Sequence, residues 1–501
     1  MLQFGEFLPD QSDYTNVGAT DAKNCIPLTN KSYAPLRDLS PVIDALTNRI
    51  QGAVSMQESD GTQHTFCGDN QNLFLLGSSA FAEISKSTNA YTCATDDHWD
   101  FVQYGDRAIA VNGHTDAPQS FVMGTSSDFA DLGGSPPQAK HCGVVGEFVM
   151  FGNIDDATDG VVPNRVHWCA INDPTDWPTI GSSDAAQKQS DRQDLKSGLS
   201  VQAIIGAVGG ADGAIFMRNS VFRVSYVGAP LVFEFKEVER GRGTIASQSV
   251  VNVGSFAFYL AEQGFFVFNG STSQAIGNQK VDKFFFADLD FNFIHRITAA
   301  QDPVNKLVYW SYPGADNIDG RPNKVIIYNW EIGRWSYGEI TADLIFTDTS
   351  PGYTMDNIDG FGNIDAIDTT FDDRFWVGGL SSLSAFNSAH RLSTFTGSAL
   401  ATTLTTTEFG GMELFSKPNE RLYVNGVRPY VDGGTITVEL DYRDSPSGSV
   451  TTDGPNSVDP NGTAHFTRSC RYARATIKVA AGGTWTHAQG VDLDVSEDGT
   501  S

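Results

Sequence analysis

Residues 297–340 read ITAAQDPVNKLVYWSYPGADNIDGRPNKVIIYNWEIGRWSYGEI, and their pattern decides the fold. Four runs (297–302, 306–313, 324–331 and 334–340) carry most of the Val, Ile, Tyr and Trp, with Asn, Asp, Gly and Pro between them. Branched and aromatic side chains suit a pleated, half-buried surface. Asn305-Lys306 and Ile332-Gly333-Arg334 stand where tight hairpin turns belong. The stretch therefore predicts one four-stranded antiparallel sheet.

The same beat recurs about seven times between Gly52 and Asn387. Apolar runs begin at 73, 108, 148, 214, 256, 307 and 374, each followed after a turn by a partner run beginning at 81, 121, 166, 221, 265, 325 and 383. Successive starts lie 35, 40, 66, 42, 51 and 67 residues apart. Four of these gaps suit a single four-stranded unit, and the two long ones predict insertions near 184–198 and 350–370. A spaced array of small sheets is the sequence form of a β-propeller, here of about six to seven blades spanning 51–398. The insertion at 184–198 (DAAQKQSDRQDLKSG) is polar, without strand signals, and reads as a solvated helix or loop.

Two segments flank the propeller. Residues 1–50 are rich in Pro, Asn and Asp and read as an extended arm, with one short helix at 41–50 (PVIDALTNRI). Such an arm suits docking to a neighbour, and its removal to residue 38 is expected to spare the fold. Residues 399–501 change texture: runs at 399–407, 420–431, 435–442, 465–466, 473–479 and 490–495 predict a separate small antiparallel β domain, with 445–461 as a loop.

Composition narrows the function. With 40% hydrophobic and 19% charged residues the chain is an ordinary folded protein, and 50 Gly and 33 Phe serve its turns and its packing between sheets. The net charge of −27 opposes binding to DNA phosphates, which relies on Lys and Arg. The six cysteines (Cys25, Cys67, Cys93, Cys142, Cys169, Cys470) show no zinc-ligand spacing and read as reduced, buried thiols. No apolar run is long enough for a membrane helix, and the first residues carry no secretory signal. Assembly in a cytoplasm is the corresponding expectation.

Chemistry is harder to place. No nucleophile elbow, phosphate-binding Gly loop, H-E-x-x-H helix or sialidase Asp-box is present, so no catalytic residue and no cofactor site is expected. His295 and His390 read as packing or hydrogen-bonding residues, and Arg240-Gly241-Arg242-Gly243 as a turn between blades. Trp310, Trp330 and Trp335 read as plugs between blades. The one candidate for a metal is the set of Asp-rich loops: Asp155, Asp156 and Asp159; Asp316 and Asp319; and Asp356, Asp359, Asp365 and Asp368. Clustered carboxylates suit Ca²⁺, but the spacing fits no EF-hand and these residues are also common turn formers, so the expectation is no metal.

Several stretches carry a resemblance. They are GAIFMRNSVFRVSYVG from 213, EVERGRGTIASQSVV, EQGFFVFNGSTSQAIGNQKVDKFF, HRITAAQDPVNKLVYWSYP and KVIIYNWEIGRWS, together with LPDQSDY, NCIPLTNKSYAPL, FDDRFWVGG and HRLSTFTG. In this order they resemble the tail nozzle and packaged-DNA stabilization (tail tubular protein B-like) proteins of short-tailed bacteriophages. That resemblance implies a structural virion protein without enzymatic activity. It implies a homo-oligomer, a hexameric ring below portal and head-to-tail adaptor protein, which bears tail spike or fibre proteins. The ring would let double-stranded DNA pass without specific binding and retain the genome until ejection. Two other readings remain open at this point: a generic propeller protein-binding scaffold, and a propeller that binds or hydrolyses carbohydrate.

Overall fold

The computed structural model describes residues 1–13, 16–77, 79–349, 381–416 and 420–499. Among them, six four-stranded antiparallel meanders follow one another along the chain, and a seventh four-stranded sheet completes the series. Blade one runs Gly52–Gln57, Gln63–Gly68, Leu73–Leu76 and Phe81–Glu83. Blade two lies within 100–131, blade three within 138–194, blade four within 201–240 and blade five within 251–275. Blade six, the stretch quoted first, is Thr298–Asp302, Leu307–Tyr312, Lys324–Asn329 and Arg334–Gly338. In its hairpin turns Lys306 (φ 59) and Gly333 (φ 70) take the left-handed conformation that the tight reversal needs. The chain is an all-β propeller with seven blades.

Blade seven departs from the local rule. Its strands are Ala342–Thr349, Ser381–Asn387 and Leu392–Thr394, and the fourth is Ser40–Pro41 from the other end of the chain. An N-terminal strand thus completes the blade that abuts blade one. The ring closes through Thr65 Oγ1, which donates to Asp348 Oδ1 at 3.0 Å, and Ser55 Oγ, which donates to the Thr349 carbonyl at 3.4 Å. Other inner strands are tied likewise: Cys142 N donates to Asp100 at 3.0 Å, Asn252 Nδ2 to the Gly206 carbonyl at 3.2 Å, and Gln301 N to Thr347 Oγ1 at 3.0 Å.

The core is a series of layers between blades rather than one centre. Phe66, Phe121 and Phe129 fill the space between blades one and two; Phe216, Tyr259 and Phe268 fill that between four and five. Trp99 lies so close to blade one that a Cβ on Gly68 would meet its ring at 2.4 Å. Between blades five and six, Trp310 donates to the Ser249 carbonyl at 3.0 Å and Trp335 to the Ile276 carbonyl at 3.1 Å, both rings packed on Phe265. Trp310 and Trp335 are fully buried plugs, as expected. Trp330 is only half-buried, over Phe258. All six cysteines are buried and unpaired, and burial pushes the Cys93 and Cys169 thiols up to about 12.

Four sequence expectations need correction. Residues 41–50 contain no helix. Val42, Ile43 and Ile50 are spent instead on the layer between blades seven and one, and that packing overrides a weak local propensity. Residues 1–50 are not an arm outside the sheets. Cys25–Thr29 and Ser32–Pro35 extend a C-terminal sheet made of Ala488–Glu497, Leu422–Val431 and Ala464–Cys470, to which Leu2–Gln3 is also paired. Their removal takes strands from a core, so the fold is not expected to survive it. The C-terminal β domain is not separate either. Its second sheet (Thr402–Thr405, Tyr472–Val479, Ile436–Arg443, Thr451–Ser457) continues through Asp21–Lys23 into the outer strand of blade six, and Val424, Leu440 and Ile477 share one cluster with Trp310 and Trp335. Finally, Thr451–Ser457 is a strand inside the expected loop; it forms the sheet's edge, where its Pro455 is tolerated.

The insertion at 184–198 holds a short helix, Ser183–Lys188, capped by the Ser182 hydroxyl, and then the outer strand of blade three, Asp191–Asp194. The second insertion, 350–370, lies outside the described residues.

Candidate functional site

Three places bring polar or titratable side chains together. The first is the end of the propeller axis at which the inner strands begin. Here Arg49, Gln51, Asp97, His98, His295 and Asp343 surround a cavity with room for the centre of about one water molecule, about 10 Å³. Gln51 Nε2 donates to the Ala94 carbonyl at 2.7 Å and to the Asp97 carbonyl at 2.8 Å; Arg49 donates to the Thr95 carbonyl at 2.8 Å. Burial, and then the neighbouring Arg296, lower the Arg49 pKa. Burial pushes His98 down to about 4, helped by His141, whose ring centroid is 5.6 Å away.

The two histidines singled out in the sequence both border this mouth. His295 Nε2 lies 3.3 Å from Asp96, and burial lowers its pKa. His390 Nδ1 bonds the fully buried carboxylate of Asp343, whose other oxygen sits 3.3 Å from Arg321 Nε. Burial raises the Asp343 pKa against these two partners. An Asp-oriented imidazole is a familiar device of acid–base catalysis, but here the adjoining cavity of about 10 Å³ has room for no more than about one water. Of the packing or hydrogen-bonding role expected of them, His390 shows the hydrogen bond, while His295 packs beside the Phe293 ring with its Nε2 buried and outside hydrogen-bond geometry.

The second place is the Asp-rich loops. Arg165 takes both oxygens of Asp194 (2.5 and 3.0 Å) and one of Asp159 (2.6 Å), while Arg192 bonds Asp156 and lies 3.3 Å from Asp159. Despite burial, the backbone N–H of Thr158 and the Arg192 guanidinium hold the Asp156 carboxyl below its usual range. Asp155 lies in a strand of the same blade, paired to Gln138. Asp316 accepts from Asn323 at 3.0 Å and pairs with Lys324 at 3.1 Å; Asp319 faces Arg321 at 3.6 Å. Arg and Lys side chains thus pair with Asp156, Asp159, Asp316 and Asp319, and among the described residues no group of three metal-ligating side chains converges. Asp356, Asp359, Asp365 and Asp368 lie outside the described residues. The Arg240–Gly243 stretch is the expected turn between blades, with Arg240 paired to Glu237 at 2.7 Å and Arg242 over the Phe266 ring.

The third place was not found from the sequence. A cleft of about 520 Å³ opens where the Cys25–Pro35 strand pair, the 303–306 turn of blade six, blade seven and the 484–486 loop meet. Tyr309 and Phe395 (ring centroids 5.7 Å apart), Trp485, Arg37 and Asn305 line it. Trp485 is 3% exposed, and its indole N–H is closed to solvent with no acceptor among the described residues. Both oxygens of Asp302, which also lines the cleft, are held by their own turn: Val304 N at 3.0 Å, Asn305 N at 3.2 Å and Asn305 Nδ2 at 2.6 Å. The only local signal was a tryptophan delivered by a Gly482-Gly483 turn. The cleft exists because segments some 450 residues apart in the chain come together there.

No family model matches this chain, and no curated protein matches it in sequence. Among solved structures, the extracellular domain of the one-component system BT4673 from B. thetaiotaomicron is 9% identical with a TM-score of 0.41 over 83% of this chain. This chain spans 47% of that one, about half its length. Apo AztD from Citrobacter koseri gives 11% and 0.31, over 64% of this chain and 93% of AztD. The Pan2 WD40 domain of Neurospora crassa gives 7% and 0.38, over 72% of this chain and 98% of the domain. At such low scores the propeller assignment rests on the strand pairing described above.

Proposed function

We propose that this chain is a structural virion protein, a tail nozzle subunit of a short-tailed bacteriophage. Copies form a ring, six-fold by the sequence resemblance, that extends the DNA channel below the portal and its head-to-tail adaptor, holds the genome and guides its ejection. Tail spikes or fibres are its further partners, and its task is mechanical rather than enzymatic.

One structural observation carries the mechanical part of this reading. Blade six and the C-terminal sandwich share a single ten-stranded sheet, continued through Asp21–Lys23. Load applied to one body is carried by strand pairing into the other, without a flexible linker. The charge of −27 supports the channel role, since an acidic wall repels phosphate and gives passing DNA no counterions to release. A ring further requires a heterologous contact that closes cyclically.

The test is electron microscopy of the purified full chain, alone and mixed with a head-to-tail adaptor from the same virion. Closed rings seated on the adaptor are expected. A chain that stays monomeric in both samples, or virions with no such polypeptide at the DNA-exit vertex, would overturn the proposal.

A further inference from the structure

The outer strand of each blade is where a propeller shows unpaired backbone, and this chain keeps nearly all of them short or covered. In blades one, two, three and five they are Phe81–Glu83, Ala130–Asp131, Asp191–Asp194 and Ser273–Ala275. Blade six carries Asp21–Lys23 on its outer strand, and blade seven ends on the two residues Ser40–Pro41. Blade four ends instead on Val232–Arg240, nine residues long, and among the described residues no strand pairs with its far side. A long free edge is a template for another strand. Apolar surface stays open beside it: Tyr226, Val227 and Leu231, at the turn where the strand begins, are all exposed.

A charge usually blocks such an edge, but here the charges select a partner. Glu234 and Lys236 are exposed, flank Phe235 and share one face of the strand, and neither has an ionic partner among the described residues. Lys236 stands directly across from Arg223 of the neighbouring strand, and like charges so placed repel. A carboxylate arriving on the open side would offset that repulsion. A second copy of the same strand, laid antiparallel and centred on Phe235, supplies one. Glu234 then faces Lys236 of the other copy and Lys236 faces its Glu234, while Phe235 faces Phe235 and Val232 faces Val238. Moving the centre one residue either way sets Lys236 against Lys236 or Glu234 against Glu234, so charge fixes the register. The irregularities of this hairpin fall at Val221/Phe222 and Tyr226/Gly228, which leaves residues 233–237 regular.

We propose that the outer edge of blade four is a self-pairing surface. Two copies join across a two-fold axis at Phe235, and their blades merge into one continuous sheet, with Glu234–Lys236 pairs on one face and the facing phenylalanines on the other. The contact is isologous, whereas closing a ring needs a heterologous one. It is therefore a second contact, apart from any that closes a ring, and neither reading rests on the other.

The experiment is sedimentation velocity on the full-length chain from about 1 to 200 µM, a range that brackets a micromolar dissociation constant. A dimer is expected within it. Glu234→Lys and Lys236→Glu each turn two attractive pairs into repulsive ones, and each is expected to weaken dimerisation about tenfold or more. Combining the two restores opposite charges in the same register, and is expected to return the affinity to within about threefold of the parent. Both side chains are exposed, so the variants are expected to keep the parent's denaturation midpoint. Amide hydrogen exchange at high against low concentration should show added protection at residues 232–238. A chain that stays monomeric, association that the single changes leave untouched, or a double variant no stronger than the singles would overturn the proposal.

Discussion

Arg334 is the latch between the N-terminal strands and the propeller, and replacing it is expected to release them. Its side chain is buried at 4% exposure on the outer strand of blade six, with no carboxylate partner among the described residues. Instead it reads backbone: Nη1 donates to the Thr29 carbonyl at 2.8 Å, Nη2 to the Phe4 carbonyl at 3.2 Å and also to the Gly5 carbonyl, and the guanidinium lies 4.5 Å from the Tyr33 ring centroid. Hydrogen bonds from a charged donor are worth about 1.5–3 kcal/mol each, and a desolvated cation–π contact up to about 2. Removing a buried charge recovers part of its desolvation, so the sum overstates the loss, and Arg334→Met should cost about 3–5 kcal/mol. Arg334→Lys keeps the charge but reaches fewer of the three carbonyls, and should cost about half as much. Guanidinium denaturation gives the size of the effect, and amide hydrogen exchange gives its place. Residues 2–35 and the C-terminal sheet should lose protection together while blades two to four keep theirs. A loss below about 1 kcal/mol with residues 2–35 still protected would show that strand pairing alone holds the segment, and the latch argument would fail.

The other expectations follow from burial. Trp335→Ala should cost about 3–5 kcal/mol because it empties a filled layer between blades, whereas the half-exposed Trp330→Ala should cost about 1–2; equal shifts in the denaturation midpoint would refute that ranking. Burial pushes the Asp282 carboxyl up to about 6, opposed by the Phe265 N–H it accepts at 3.1 Å. The unfolded chain ionises this group near pH 4, so the folded state loses stability as pH rises from about 4 to 6, by at most about 3 kcal/mol. Asp282→Asn keeps the acceptor and should stabilise the protein by about 2 kcal/mol at pH 7.5 and little at pH 4, as read by denaturation at both pH values. An equal gain at both would mean the carboxyl is not the source.

How much of this was legible depended on where each strand's partners lie. Blades two to six were readable because their middle strands, such as Phe148–Asp156 and Leu307–Tyr312, are buried on both faces and so open with unbroken apolar runs, Phe148–Phe151 and Leu307–Trp310. Blade one was read one strand late: its second strand, Gln63–Gly68, begins with Gln63, His64 and Thr65, and looks like a turn. In blade seven the inner strand Ala342–Thr349 was missed because Asp343 and Asp348 break the apolar run, although each is buried against specific partners (His390 and Arg321; Thr65 and Ser384). The run at 374–377, taken as this blade's strand, lies outside the described residues. The cleft was illegible for the same reason as the role of residues 1–41: no local pattern encodes that Leu28, Phe395 and Trp485 come to line one space.

That non-local wiring has a consequence for how the molecule forms and bears load. Asp10 caps the helix Asp282–Asp288 by accepting from the Lys283 and Phe284 N–H groups, both at 2.8 Å; Asp21–Lys23 joins blade six to Thr402–Thr405; Ser40–Pro41 completes blade seven. Each contact waits for residues made hundreds of positions later, and contacts of such sequence separation form slowly because loop closure precedes any gain. Until then the N-terminal strands are open edges. Once they are in place, the outer strand of blade six cannot peel without breaking its pairing to Asp21–Lys23, which is itself held by Thr402–Thr405 of the C-terminal sheet. Force on that sandwich therefore reaches the ring through hydrogen-bonded strands, and the weakest path is the single parallel bridge between Lys23 and Tyr337, which Tyr337 reinforces by donating its hydroxyl to Asp21 at 2.9 Å.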